Sequence, residues 1–179
     1  IIGSSLSAVT GPVALVASID ATPVIVWGGS ASSLSDRTTY PTMSRSVVSD
    51  SDTTNSLVRA MKAIGWRSFA ILAVNDAWGS SLAQDLANQF LLGVTAIASF
   101  SFGDKAQMEE AVRLIAQSGS RIIVVAAFES ELAAISGFAE GFGMLNAGYA
   151  FIVPYDFDIN GAVAVNSDPE SSRARFTGW

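Results

Sequence analysis

Apolar residues along this chain gather in short continuous runs of strand length, and between them lie stretches with helical spacing. Pro23–Trp27, Phe69–Val74, Val94–Phe102, Arg121–Ala127 and Tyr149–Val153 read as strands. Arg121–Ala127 is a continuous apolar run, of the kind buried on both faces of a parallel sheet. Val9–Ile19 is predicted helical, with Pro12 in the first turn, where a missing N–H is tolerated. Leu57, Val58, Met61 and Ile64 mark one face of a second helix, preceded by capping residues at 51–54 and stopped at Gly65. Ser80–Leu92 is a third, after the turn Asn75-Asp76-Ala77-Trp78-Gly79. Asp104 caps a fourth that runs through Ile115, and Glu129–Phe142 is a fifth, ending in Gly141-Phe142-Gly143. Residues 28–44 are a polar loop and Arg45–Val48 is extended; the tail holds a short strand at Gly161–Val165 and a helix starting at Pro169–Phe176. Strands alternating with helices predict an α/β fold, a parallel sheet with helices on both faces.

Composition narrows the chemistry. The chain has 179 residues, half of them apolar and 15% charged, against roughly 25% charged in an ordinary domain. A substantial interior is within reach. The apolar runs are too short to span a bilayer, and nothing has the basic start and small-residue cleavage site of a signal peptide. The first residues, Ile1-Ile2-Gly3, lie inside an apolar strand, so the sequence reads as a fragment. Ten basic residues are scattered singly under a net charge of −6, so the Lys/Arg patch that nucleic acid requires is missing. With no cysteine there are no disulfides, and with no histidine the commonest general base and metal ligand are missing. No Walker loop, dinucleotide fingerprint or hydrolase elbow is present. The expectation is a protein that is not an enzyme, with no cofactor and no metal.

One stretch carries more. Gly28-Gly29-Ser30 closes a strand, Leu34-Ser35-Asp36-Arg37-Thr38-Thr39-Tyr40-Pro41 forms a charged turn, Arg45 and Ser49-Asp50 follow, and a helix closes on Gly65-Trp66. This order resembles the ligand-binding region of the receptor family, which includes the extracellular domains of metabotropic glutamate and GABA receptors, natriuretic-peptide receptors and bacterial branched-chain amino-acid-binding proteins. The resemblance implies a type I periplasmic-binding-protein-like fold. Residues 1–49 would be the last part of the first lobe, 50–158 the second lobe, and 159–179 an incomplete return to the first, so that the piece is mostly the second lobe plus part of the first.

Six residues are candidates for the ligand. Ser7 lies in Ser4-Ser5-Leu6-Ser7, between a strand end and a helix start, where free N–H groups and hydroxyls favour an anion. These serines either cap the helix or, as the resemblance implies, grip a ligand carboxylate. Ser30 falls where the family places a second hydroxyl on that carboxylate. Gly28 stands where amino-acid receptors tend to have serine; its N–H can still donate, or the glycines only relieve a turn. Trp78 aligns with an aromatic that closes over the ligand, and its indole suits an aliphatic stem or an ammonium; the plain alternative is packing beside a helix. Asp156 aligns with an acid that holds the ligand amine, or makes an Asx-turn, with Tyr155 and Phe157 beside it. Asp50 either contacts ligand or caps the helix starting near Thr53. Asp36, Arg37 and Arg45 are assigned to structure.

The resemblance implies an extracellular or periplasmic domain that binds a small molecule, an amino acid or another carboxylate, by clamshell closure. It would serve a signalling receptor or a transport system, joined to a membrane only through parts outside this sequence. A homodimer is compatible with this, and so is a second reading, a ligand-free dimerisation module of the same fold. An α/β enzyme using Asp, Glu and Ser is the least favoured.

Overall fold

The computed structural model describes residues 1–90, 93–146 and 148–155. Helices and strands alternate in the order α1 (Ser7–Ile19), β1 (Val24–Val26), β2 (Met43–Arg45), α2 (Asp50–Ala63), β3 (Phe69–Val74), α3 (Ala77–Gln89), β4 (Val94–Phe100), α4 (Lys105–Gln117), β5 (Ile122–Ala126), α5 (Glu129–Gly141) and β6 (Ala150–Ile152). A 3-10 turn occupies Ser32–Ser35. Every named strand pair is parallel. The chain divides into two compact units: Ile1–Ala60 with Asp76–Gln89, and Met61–Asn75 with the described residues from Phe90 onward.

The second unit is a four-stranded sheet in the order β4-β3-β5-β6. β3 lies inside it, paired with β4 on one side and β5 on the other, and all six of its side chains are buried. That is the physical reason for its unbroken apolar run: neither face meets water. α4 shows the complementary logic. Met108, Ala111, Val112 and Ile115 form its buried stripe, spaced for one helical face. Asp104 sits at its N-cap and accepts from the N–H groups of Ala106 and Gln107 at 3.1 and 3.0 Å. Gly119, with φ of 71°, supplies the left-handed residue that follows the helix. The strand order places β4 on one side of β3 and β5 on the other, so β3 and β5 flank a reversal point of the sheet, beyond whose carboxyl ends such folds bind ligands.

The first unit is built on less apolar area. β1 and β2 have three residues each, with Val24 opposite Met43 and Val26 opposite Arg45, and Ile2 bridges to Ile25 on the other side of β1. Its interior collects Ala14, Ala17, Val24, Val26, Ala31, Leu34 and Met43, with Tyr40 packed against them.

Several boundaries differ from expectation. α1 begins at Ser7, because the Leu6 carbonyl accepts from both Val9 and Thr10; Pro12 therefore lies beyond the first turn and deprives Ala8, an exposed residue, of one helical bond. The extended segment is Met43–Arg45 and not Arg45–Val48, since pairing with β1 fixes it there. α2 begins at Asp50, so Asp50 is a helical residue and not the cap of a helix starting near Thr53. α3 begins at Ala77 because Asp76 Oδ1 accepts from the N–H groups of Trp78 and Gly79 at 3.0 and 2.7 Å. Trp78 thus belongs to the first turn of that helix and not to a loop. The expected tail elements at Gly161–Val165 and Pro169–Phe176 lie outside the described residues.

Candidate functional site

The polar residues of the first unit are tied to one another by side chains reaching backbone. Ser7, 4% exposed, accepts through Oγ from the N–H of Ala31 at 3.2 Å. It does not cap α1: the Ncap residue Leu6 makes no side-chain cap bond, and Ser4 Oγ accepts from the Leu6 N–H instead. Ser30, next to Ala31, accepts through its carbonyl from the Asp50 N–H at 2.9 Å, and its hydroxyl donates to the Asp50 carboxylate. Arg45 Nη1 donates to the carbonyls of Ser30 and Ala31 at 3.1 and 2.9 Å, and its other arm reaches Ser35 Oγ. The loop after β1 is therefore clamped from α1 by Ser7, from β2 by Arg45 and from α2 by Asp50.

Asp50 is the most constrained of these groups. It is 6% exposed, and its Oδ2 has no hydrogen-bond partner. Burial pushes its carboxyl above the usual carboxylate range, the Ser30 hydroxyl pulls it back, and the neighbouring Asp85 raises it further against the pull of Arg45. Gly28 has a steric cause. A Cβ there would lie 2.6 Å from Ser5 Cα and 3.0 Å from its carbonyl oxygen, so Ser5 occupies the space a serine side chain would fill. Trp78, half-buried, sits one turn before Ser81, whose hydroxyl bonds that of Ser32 at 2.8 Å.

Ser7, Ser30 and Asp50 are thus joined through one loop, and Gly28 begins it. Ser81, one turn beyond Trp78 on α3, reaches the same loop at Ser32. Asp156 and Phe157 lie outside the described residues. Asp36 and Arg37 hold the turn as expected: Asp36 accepts from the Thr38 N–H at 2.9 Å and from the Thr38 and Thr39 hydroxyls at 2.7 and 2.6 Å, and Arg37 donates to the Met43 carbonyl. Those bonds hold the Asp36 carboxyl down at about 2.

The family of the receptor ligand-binding region matches residues 1–175 of this sequence, nearly its whole length. The chain belongs to that family. No curated protein matches it. Membership in the receptor family makes the chain a ligand-binding domain and agrees with the parallel α/β architecture.

In this receptor-family chain the second unit adds Glu131, which sequence reasoning passed over, and a partner for Tyr155, which it had placed only beside Asp156. Glu131, buried on the first turn of α5, accepts from the N–H of Gly103 at 3.1 Å and of Phe128 at 3.2 Å. It stitches the loop after β4 to the loop after β5. Tyr155 donates to the carbonyl of Ala127, and burial, with Glu129 and Glu131 nearby, pushes its phenol up. The available signal for Glu131 was an acid three residues after Phe128, at the helix start. Asp85 and Gln89 were also missed, since they look like ordinary polar positions on amphipathic helices, and Thr54 was read only among the capping residues 51–54. Among the described residues no group of three or more His, Cys, Asp or Glu side chains could hold a metal ion, and no helix is long and apolar enough to cross a membrane.

Proposed function

We propose that this domain binds a small amino-acid-like molecule, carboxylate and amine together, and works by clamshell closure as the extracellular or periplasmic part of a receptor or transport system, without catalysing a reaction. The observation that carries this reading is the linkage of Ser7, Ser30 and Asp50 through one loop, with a buried Asp50 oxygen left without a donor. Ser7 Oγ, Ser30 Oγ and the N–H of Gly28 suit a carboxylate. Asp50 suits the ammonium, since a charge-assisted bond replaces the donor that Oδ2 lacks. On arrival the ammonium takes over Asp50, and the Ser30 hydroxyl turns to the carboxylate. Trp78 covers the stem, and Asp156 is a second acid for the amine.

Calorimetry of the chain against a panel of amino acids tests this. Ser30→Ala should weaken the best ligand roughly tenfold, about 1.4 kcal/mol, the size of one hydrogen bond to a charged group. Heat from no amino acid, or an affinity untouched by Ser30→Ala and Trp78→Ala, would count against it. The ligand-free interaction module is favoured by a different feature. Val9, Val16 and Ile19 lie along one side of α1 and are exposed, Ile19 to 80%, an apolar stripe of the kind that pairs with another surface. A concentration-dependent dimer by light scattering, dispersed by Val16→Asp, together with silent calorimetry, would select that reading.

A further inference from the structure

Two turns of α2 and α3 hold three oxygens that nothing donates to. Asp50 and Thr54 are one turn apart on α2, as Asp85 and Gln89 are on α3. Gln89 Nε2 donates to Thr54 Oγ1 at 2.9 Å, and Thr54 Oγ1 in turn donates to the Ser51 carbonyl at 3.1 Å. With that hydroxyl proton committed, Gln89 is held with its amide oxygen away from Thr54. Buried and without partners are Asp50 Oδ2, Asp85 Oδ2 and Gln89 Oε1. Two carboxylates and an amide oxygen, all acceptors, are buried on these turns without a donor, and Asp85 is near enough to act on the Asp50 carboxyl.

We propose that Asp50 and Asp85 share a single proton, so that the pair carries one negative charge and the Asp50 Oδ2–H donates to Asp85 Oδ2. Leaving both ionised would bury two orphaned anionic oxygens that repel each other, the costlier arrangement. The other charged group acting on Asp50 is Arg45 of β2, and it is turned to the carbonyls of Ser30 and Ala31 and to Ser35. Ser30 supplies a hydroxyl to the opposite Asp50 oxygen. Among the described residues neither aspartate is in a salt bridge. The raised titration of Asp50 follows from the same burial and the same neighbour.

The consequence for binding rests on the reading above, in which Asp50 receives the ligand ammonium. That ammonium would have to displace the shared proton. Apparent affinity should then climb about tenfold per pH unit below the titration point of Asp50 and level off above it.

Carboxyl-carbon NMR of the full 179-residue chain without ligand tests the proton itself. Asp50 should titrate above the ordinary carboxyl value of about 3.9, and Asp85→Asn, which removes the like charge and offers an amide N–H, should move it down. The idea is overturned if Asp50 titrates at the ordinary carboxyl value in the wild-type chain. It is equally overturned if Asp85→Asn leaves Asp50 where it was, or if the Asp50 signal follows sodium or potassium concentration instead of pH. Because no ligand is present, loss of amino-acid binding in calorimetry would leave this result intact, and the two failures are separable.

Discussion

The two units of this chain are stabilised by different means. In the second, β3 and β5 are apolar along their length, β3 is paired on both sides, and the helices bring matching stripes. In the first, the strands have three residues each, large apolar side chains such as Ile2, Ile25 and Trp27 are exposed, and the loop after β1 is held by Ser7, Arg45 and Asp50. Hydrophobic burial tolerates many sequences and gives rigidity cheaply in information. Polar clamping demands particular side chains at particular places, and it leaves donors and acceptors poised to exchange partners. The proposed function draws on the second kind of structure.

That contrast can be broken by truncation. Ile71 is fully buried in the middle of β3, so Ile71→Ala should cost about 3–4 kcal/mol in urea unfolding, transfer and cavity terms together. Ile25, in the middle of β1 but 56% exposed, should cost under about 1 kcal/mol on the same change. Equal losses would mean that β1 is covered by something in solution and that the first unit is not as thinly packed as it looks.

A sharper test uses the smallest residue in the loop. Gly28→Ala places a methyl 2.6 Å from Ser5 Cα, and backbone cannot yield as a flexible side chain would. The expected loss is about 1–3 kcal/mol by thermal unfolding, the range for overpacking. A neutral Gly28→Ala would mean that Ser5 does not exclude a side chain there, and that the glycine is not required by space.

What the sequence disclosed follows the same division. β3, α4 and β5 announce themselves through continuous apolar runs, a stripe at helical spacing and a capping Asp104, each a local signal that burial later confirms. The first unit was harder. Asp50 looked like a helix cap because the Ser30 hydroxyl that claims its carboxylate is distant in sequence, and no local pattern records the pairing. Gly28 looked like a missing serine because the obstacle, Ser5, comes from another loop. Asp85 and Gln89 carried no signal at all, since an acid and an amide one turn apart describe most exposed helices. The turn at Asp36 was readable for the opposite reason, as all its partners lie within four residues.

The cap on α4 gives an intermediate effect in the second unit. Asp104→Ala removes the acceptor for two N–H groups and should cost about 1 kcal/mol in urea unfolding. The loss should be recovered almost fully by Asp104→Ser, which still caps. If serine fails as badly as alanine, the carboxylate acts through its charge and not through the hydrogen bonds.

The smallest effect, and the one that separates two aspartates of the same unit, is in the pH profile. Asp36 is exposed and held at about 2, below its ordinary 3.8, by the hydroxyls of Thr38 and Thr39 first and then by backbone. A carboxyl that is depressed on folding contributes stability above its unfolded value and loses it as pH falls through the folded one. Asp36 should therefore weaken the fold only slightly, and only as pH drops from about 4 toward 2. Asp50 is raised on folding, so its contribution has the opposite sign: present at low pH, it declines as pH rises from the unfolded value through the folded one. Unfolding curves of Asp36→Asn and Asp50→Asn across pH 2 to 7 should accordingly diverge from wild type in opposite directions, the first flattening the acid limb and the second removing the decline above it. Were both substitutions to flatten the acid limb alone, Asp50 would be an ordinary surface carboxylate, and the polar clamp of the first unit would lack the buried, underdonated group on which the proposed function rests.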